Sequence, residues 1–67
     1  MLQILLNGEP HEIDAQTSVR DLLGHAGYAD RRVAVEVNRE IVPRSAHAQR
    51  VLLAGDQVEI VHALGGG

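Results

Sequence analysis

Apolar residues in this chain fall in short runs that turn residues separate. The first run is Leu2–Leu6, and the Asn7-Gly8 pair after it is typical of a two-residue hairpin turn, because both residue types tolerate positive φ. A returning strand is predicted over residues 9–14. Pro10 cannot donate a hydrogen bond to a neighbouring strand, so this strand is expected at an edge of the sheet or with its proline facing outward. The chain therefore opens with a β-hairpin.

A helical spacing of apolar residues follows the hairpin. Four apolar positions recur at i, i+3, i+4 and i+7, as expected for the stripe of a short amphipathic helix: Val19, Leu22, Leu23 and Ala26. Thr17 or Ser18 can cap the start of this helix. Gly27 is expected to end it in the left-handed conformation.

The middle of the chain predicts two further extended segments. Val33–Val37 alternates, with its three valines on one face and Ala34 and Glu36 on the other. Residues 38–40 are predicted to turn the chain. Ile41-Val42 then forms a brief extended segment that Pro43 stops.

Weaker patterns lead from that segment to the C-terminal strand. Residues 44–49 predict a single helical turn capped by Ser45, residues 51–53 a buried connection and residues 54–56 a turn. A final strand is predicted over residues 57–63. Its two faces carry Val58 and Ile60 on one side and Glu59 and Val61 on the other.

This order of elements predicts an α+β fold in which one main helix lies across one face of a mixed, four- to five-stranded sheet. The first and last strands are expected side by side in the middle, which is the ubiquitin-like β-grasp arrangement. The helix would cover one set of side chains: Ile4, Leu6, Val35, Val37, Val58 and Ile60. The other face has no second helix to cover it and suggests a docking surface that contains Leu5, Ala34, Glu36 and Val61. We expect a β-grasp domain over residues 1–64 and a flexible glycine tail over residues 65–67.

Composition limits the chemistry that the domain can perform. The chain has 67 residues, near the lower limit for an unaided core, and no cysteine. Disulfides, thiolate zinc sites and thiol catalysis are therefore excluded. The lack of cysteine is compatible with a reducing cytoplasm, which is the location we expect. No apolar run approaches the length of a membrane span, and the N-terminus lacks a secretory signal pattern.

The charge pattern argues against binding to nucleic acid. Nine acidic residues outweigh six basic ones for a net charge of -3, and Arg31-Arg32 is the only adjacent basic pair. Lysine is absent, so no side-chain amine can accept an isopeptide bond. If the protein is attached to another molecule, it is the donor.

The chain ends in Leu64-Gly65-Gly66-Gly67. Glycines lack Cβ atoms and lose much backbone entropy when ordered, so this tail is expected to be flexible. A free α-carboxylate on such an unbranched arm could enter a narrow active site that any side chain would block. The alternative, from the tail alone, is a frayed terminus without a role.

Several segments together match one family pattern. They are Ile4-Leu-Leu-Asn7 in the first strand, Thr17 with Leu22-Leu23 in the helix, Val37-Asn-Arg-Glu-Ile-Val-Pro-Arg44 in the middle, Gly55-Asp56-Gln-Val58 before the last strand, and the glycine end. The specific part is Val-Asn-x-x-Ile-Val-Pro-Arg together with the later Gly-Asp and the terminal glycines. Over nearly its whole length the chain resembles the sulfur-carrier protein of bacterial thiamine biosynthesis, a ubiquitin-like family.

The resemblance implies a protein co-substrate and not an enzyme. In that family a ubiquitin-activating-like (ThiF-like) adenylyltransferase uses MgATP to convert the C-terminal glycine carboxylate into an acyl-adenylate. A persulfide sulfur then displaces AMP and leaves a thiocarboxylate, which thiazole synthase (ThiG-like) consumes as its sulfur source. No cofactor is expected on the carrier itself, because ATP and magnesium belong to the activating enzyme.

The same resemblance assigns the site residues. Gly67 is the residue that would be adenylated and thiocarboxylated, and Gly66 and Gly65 would give it access to a partner's active site. The family pattern ends in a glycine pair, so Gly65 is a departure that we interpret as lengthening the tether. If the tail is trimmed, the reactive carboxylate moves to Gly66. The residues themselves suggest the partner contacts: Leu5 and Val61 on the uncovered face, and His62 and Leu64 near the tail. Arg44 matches the family pattern and could pair with acids on a partner, and the alternative is an ordinary solvated side chain.

Other candidate sites are weak, and two alternative functions stay open. The histidines lack metal-ligand spacing and are expected at the surface: His11, His25, His47 and His62. Ser18 has no base at a motif spacing that would make it a nucleophile. One alternative is the related carrier of molybdopterin synthase, which is usually longer and richer in aromatic residues. The other is a non-catalytic β-grasp interaction module whose glycine end is incidental.

Overall fold

The computed structural model describes residues 1–29 and 31–62. Within those residues it places five strands, one α-helix and one 3₁₀ turn. Their bounds are β1 Leu2–Leu6, β2 Glu9–Ile13, α1 Val19–His25, β3 Val33–Val37, β4 Glu40–Val42, the 3₁₀ turn Arg44–Ala46, and β5 Gln57–His62. The predicted tail over residues 65–67 and Leu64 before it lie outside the described residues.

The strands form one mixed sheet in the order β2-β1-β5-β3-β4. β1 and β5 are parallel neighbours in the middle of the sheet, and the other neighbouring strands are antiparallel. This is the predicted β-grasp topology. β2 is an edge strand, as Pro10 requires, because a proline there removes no hydrogen bond from the interior of the sheet.

Two-residue turns close both hairpins. Asn7 and Gly8 have φ of 52° and 85°, which confirms the turn predicted from the Asn-Gly pair. Asn38 and Arg39 adopt the same conformation, with φ of 53° and 70°. The three-residue turn predicted over residues 38–40 is therefore wrong by one residue, because two left-handed residues suffice and Glu40 already belongs to β4.

Ser18 and Asp21 cap the start of α1 reciprocally. The Asp21 backbone N–H donates to Ser18 Oγ at 3.0 Å, and the Ser18 N–H donates to Asp21 Oδ2 at 3.1 Å. The pKa of the Asp21 carboxyl is lowered, mainly by the hydrogen bond with the Ser18 backbone and to a smaller extent by the hydrogen bond with the Ser18 side chain. At the other end Gly27 has φ of 86°, the predicted left-handed conformation.

The core lies between α1 and one face of the sheet. Its fully buried members come from both layers and from the connection before β5: Ile4, Val19, Leu22, Val35, Val37, Leu52 and Val58. The predicted helix stripe and sheet face therefore meet, except that Ala26 is only partly buried and does not belong to the core cluster. The predicted burial of residues 51–53 holds only for Leu52, because alternate side chains of an extended segment point to opposite sides. Val51 and Leu53 are 42% and 62% exposed.

The segment after β4 differs from its prediction in two details. Pro43 stands at the N-cap position of the 3₁₀ turn without a side-chain hydrogen bond, so the predicted Ser45 cap is wrong. Ser45 lies inside that turn. His47 is buried, in contrast to the predicted surface position, and its Nε2 lies 3.0 Å from the carbonyl oxygen of Val42. That contact gives the ring a polar partner beneath the surface.

Candidate functional site

β5 is the last element of the described chain, and it lies in the centre of the sheet. It runs between β1 and β3, and its last residue, His62, is the register partner of Val33 at the start of β3. Residues 63–67 therefore follow on from this end of the sheet. The predicted reactive residue and its neighbours, Gly65 to Gly67, lie outside the described residues, so their roles stay predictions.

A polar network holds the start of β5. Asp56 is buried, and its Oδ2 accepts the Leu53 N–H at 2.8 Å while its Oδ1 accepts an Asn38 side-chain N–H at 3.0 Å. Asn38 Oδ1 in turn accepts the Gln57 N–H at 2.9 Å. The Val37-Asn38 and Gly55-Asp56 segments of the sequence pattern therefore meet in space. Asn38 is a turn residue, as predicted, and it also hydrogen-bonds Asp56 and Gln57, which its place in the sequence does not indicate.

Asn7 holds β5 from the opposite flank. The Asn7 N–H donates to the Val58 carbonyl at 2.8 Å, which extends the parallel ladder between β1 and β5. The Asn7 side-chain oxygen accepts the Ile60 N–H at 2.8 Å. A turn residue thus supplies one more acceptor to β5 than the backbone alone could offer. β5 is fixed along its length before the chain enters residues 63–67.

The sheet face that α1 does not cover is exposed, as predicted. Leu5 and Val61 are 36% and 55% exposed there. Leu5 lies opposite Gln57 in the β1–β5 register. Gln57 is four residues before Val61 on β5, so Leu5 and Val61 are separated by about 13 Å along the strand direction. These two predicted partner contacts share a face but lie at different heights on it.

Two acidic residues lie on the same face, at a position along the strand direction between those of Leu5 and Val61. Glu36 and Glu59 are direct register partners on β3 and β5, and Ile41 of β4 is the partner of Glu36 on the other side. Ile41 is 71% exposed, so the uncovered face carries both apolar and acidic groups. The sequence could not pair the two glutamates, because their proximity depends on the register of two strands far apart in the chain.

Arg44 belongs to a different group of exposed residues from Leu5 and Val61. It lines a cleft of about 800 Å³ between α1, the 3₁₀ turn and the start of β3, together with Arg20, Arg31 and Arg32. We call this site the arginine cleft. Its other walls include apolar groups, among them Leu23 and Val33. The predicted partner contacts thus divide between two surfaces, with Leu5 and Val61 on one and Arg44 on the other.

The described residues, 1–29 and 31–62, also bear on metal binding and on membrane insertion. His11 and His25 are exposed, and no group of three or more potential ligands among these residues could hold a metal ion. No helix among them has the length and apolar character needed to cross a membrane.

Comparisons with known proteins agree on one family. A model of the ThiS family matches residues 4–67. The sulfur carrier protein ThiS of Escherichia coli (strain K12) is 32% identical over 66 residues, which are 98% of this chain and 100% of that protein. The crystal structure of the thiamine biosynthesis protein (ThiS) from Geobacter metallireducens matches with a TM-score of 0.85 at 32% identity, covering 98% of this chain and 100% of that one.

Two longer relatives are named thiazole synthase. They come from Magnetococcus marinus and Paramagnetospirillum magneticum, and each is 46% identical over 66 residues. The match covers 98% of this chain but 20% of each relative. The chain thus spans about one fifth of the length of these two proteins.

Proposed function

The chain belongs to the ThiS family of sulfur carrier proteins, and we propose that it carries sulfur on the C-terminal carboxyl group of Gly67 for the synthesis of the thiamine thiazole ring. The observation that carries this proposal is the family match through residue 67, which includes the whole glycine end. The described fold supports it, because β5 leads from the centre of a fixed sheet directly towards those residues.

The chemistry requires activation of the carboxylate before sulfur can be attached. A carboxylate is a poor electrophile because its negative charge repels nucleophiles and oxide is a poor leaving group. Transfer of AMP from MgATP to the carboxylate, with release of pyrophosphate, creates an acyl-adenylate with a good leaving group. The terminal sulfur of a persulfide then displaces AMP and forms an acyl disulfide, and a thiol cleaves its S–S bond to leave the thiocarboxylate. Glycine suits the acyl position because it has no side chain to block the attack.

The thiocarboxylate is proposed to donate its sulfur to a thiazole synthase. Support comes from the two relatives of that name, in which a segment 46% identical to this chain occupies 20% of a longer protein. A donor and an acceptor that act in sequence are the kind of pair that one polypeptide would join. In this proposal the chain is a co-substrate, and the catalytic groups belong to the activating enzyme and to thiazole synthase.

The experiment is mass spectrometry of the intact chain after incubation with a ThiF-like adenylyltransferase, MgATP and a persulfide source. The expected product is heavier by the replacement of one oxygen with sulfur, and fragmentation locates the change at Gly67. Removal of a single glycine is not a clean test, because the shortened chain still ends in a glycine pair. Gly67→Ala is therefore compared with Gly65→Ala, the same chemical change two residues earlier.

We expect Gly67→Ala to abolish most of the product and Gly65→Ala to retain it, because the methyl group crowds the carbonyl only in the first variant. Sulfur found on Gly66 of a shortened chain would move the reactive residue by one position. The proposal fails if neither adenylate nor thiocarboxylate forms on any of these chains while the same enzymes modify another carrier protein.

A further inference from the structure

Four of the chain's six basic residues converge on the arginine cleft from three separate segments. Arg20 comes from α1, Arg31 and Arg32 precede β3, and Arg44 begins the 3₁₀ turn. Asp21 is the one carboxylate among the described residues that line the cleft, and it is already hydrogen-bonded to Ser18. A chain with a net charge of -3 therefore concentrates its positive charge at one place.

These guanidinium groups have no close anionic partner within the described part of the chain, although Arg20 interacts at longer range with the Asp21 carboxylate. All four arginines are exposed, and no ion pair within 4.0 Å joins them to a carboxylate among residues 1–29 and 31–62. Like charges that share a cleft repel each other, and an anionic group brought between them removes that repulsion. The cleft is thus prepared for a negative partner that this part of the molecule does not supply.

The cleft lies at the end of the sheet where the C-terminus leaves β5. Val33 is one of its lining residues and is also the register partner of His62, the last residue of β5. Residues 63–67 continue from that point. The cleft is therefore adjacent to the residue at which the described part of the chain ends.

The lining favours a protein segment over a small phosphate. Two backbone amides beside the cleft are already used, since the Arg20 N–H donates to His47 O at 3.0 Å and the Arg31 N–H donates to Tyr28 O at 3.0 Å. The remaining donors are separate, exposed guanidinium groups, which suit several carboxylates spread over a surface. Leu23 and Val33 add an apolar part that a phosphate would not use and an aliphatic side chain would.

We propose that the arginine cleft docks an acidic segment of the activating enzyme, in which carboxylates flank an apolar side chain. This inference rests on the proposed function, which requires an enzyme that binds the C-terminus for adenylation. Thiazole synthase is the less suitable occupant. Two relatives of that name contain a segment like this chain within one polypeptide, and a joined domain gains little from electrostatic attraction during encounter.

The test compares two charge reversals of equal size. Arg31→Glu combined with Arg32→Glu alters the cleft, whereas Arg39→Glu combined with Arg50→Glu alters the two arginines that do not line it. Both variants change the net charge of the chain by the same amount, and circular dichroism establishes that both are folded. The first measurement is the Kd of each variant for a ThiF-like adenylyltransferase in the absence of ATP. The second is the KM and kcat of adenylation, with the rate measured as the release of pyrophosphate.

We expect the cleft variant to weaken binding and raise KM by about tenfold with kcat unchanged, and the control to change them by less than about threefold. Raising the salt concentration should weaken binding of the unaltered chain more than that of the cleft variant. Binding without ATP separates docking from chemistry, so an enzyme that binds but never adenylates the chain refutes the proposed function and leaves the docking comparison valid.

Three results would overturn the inference. The first is an equal effect of the two charge reversals, which would indicate that only net charge matters. The second is a loss confined to sulfur transfer to thiazole synthase, which would assign the cleft to that enzyme. The third is saturable binding of inorganic pyrophosphate to the isolated chain that Arg31→Glu with Arg32→Glu abolishes, which would identify a small-anion site.

Discussion

Replacement of Asp56 by asparagine tests whether the polar network at the start of β5 stabilises the domain. The carboxylate accepts two hydrogen bonds, from the Leu53 N–H at 2.8 Å and from the Asn38 side chain at 3.0 Å. An asparagine of the same shape offers one oxygen and one NH₂ group, so one of the two donors then faces another donor. Hydrogen bonds to charged groups contribute about 1.5–3 kcal/mol each, and Asn38 is exposed, which places its bond at the lower end.

We therefore expect Asp56→Asn to lower the free energy of unfolding by about 2 kcal/mol. For a domain of this size that corresponds to a decrease in Tm of roughly 8–16 °C. Urea denaturation followed by circular dichroism measures the change. Asp14→Asn is the matched control, because Asp14 is exposed, and we expect it to cost less than about 0.5 kcal/mol.

A double-mutant cycle with Asn38→Gly isolates the bond between the two side chains. Glycine accepts the φ of 53° at this position without strain, so the substitution removes the side-chain hydrogen bonds and keeps the turn. The expected coupling energy between the two positions is about 1 kcal/mol. A coupling near zero, or an equal cost for Asp56→Asn and Asp14→Asn, would refute the network as a source of stability.

Three further predictions follow from individual residues. Arg39→Gly should raise the free energy of unfolding by about 0.5–1 kcal/mol, because Arg39 has φ of 70°, while Glu40→Gly in β4 should lower it; urea denaturation compares the two. The lowered pKa of Asp21 means that its ionised form stabilises the fold above the ordinary value of 3.8 and that this contribution disappears as pH falls below it. The stability difference between the unaltered chain and Asp21→Asn, measured from neutral pH to below 3.8, should therefore shrink on acidification, and a constant difference would contradict this. Leu52→Ala should cost about 2–5 kcal/mol and Leu53→Ala less than about 0.5, since the first side chain is fully buried and the second is 62% exposed; similar Tm values would contradict the assigned orientation.

Features set by neighbouring residues could be predicted from the sequence. The Asn7-Gly8 turn depends on two residues that accept positive φ. The alternation of Val33–Val37 and the spacing of Val19 and Leu22 show which side chains face the core, because one face of each element must be apolar. The β-grasp topology follows from the order of these elements.

Features that depend on distant residues could not be predicted in this way. Asn38 and Asp56 are 18 residues apart, and their contact exists only because the end of β3 lies beside the start of β5. The arginine cleft likewise combines Arg20 with Arg44 through the packing of α1 beside the 3₁₀ turn. In both cases the residue types are ordinary, and only their relative position in the fold gives them a role.

The central position of β5 determines how the domain responds to a pulling force. A force applied at the C-terminus acts along the axis of β5, which is bonded to β1 on one flank and to β3 on the other. The ladders on both flanks are then loaded in shear, so their hydrogen bonds must break together. An edge strand such as β2 would instead peel away one bond at a time. The domain is therefore expected to stay folded under a force on β5 that would be enough to peel β2 from the sheet.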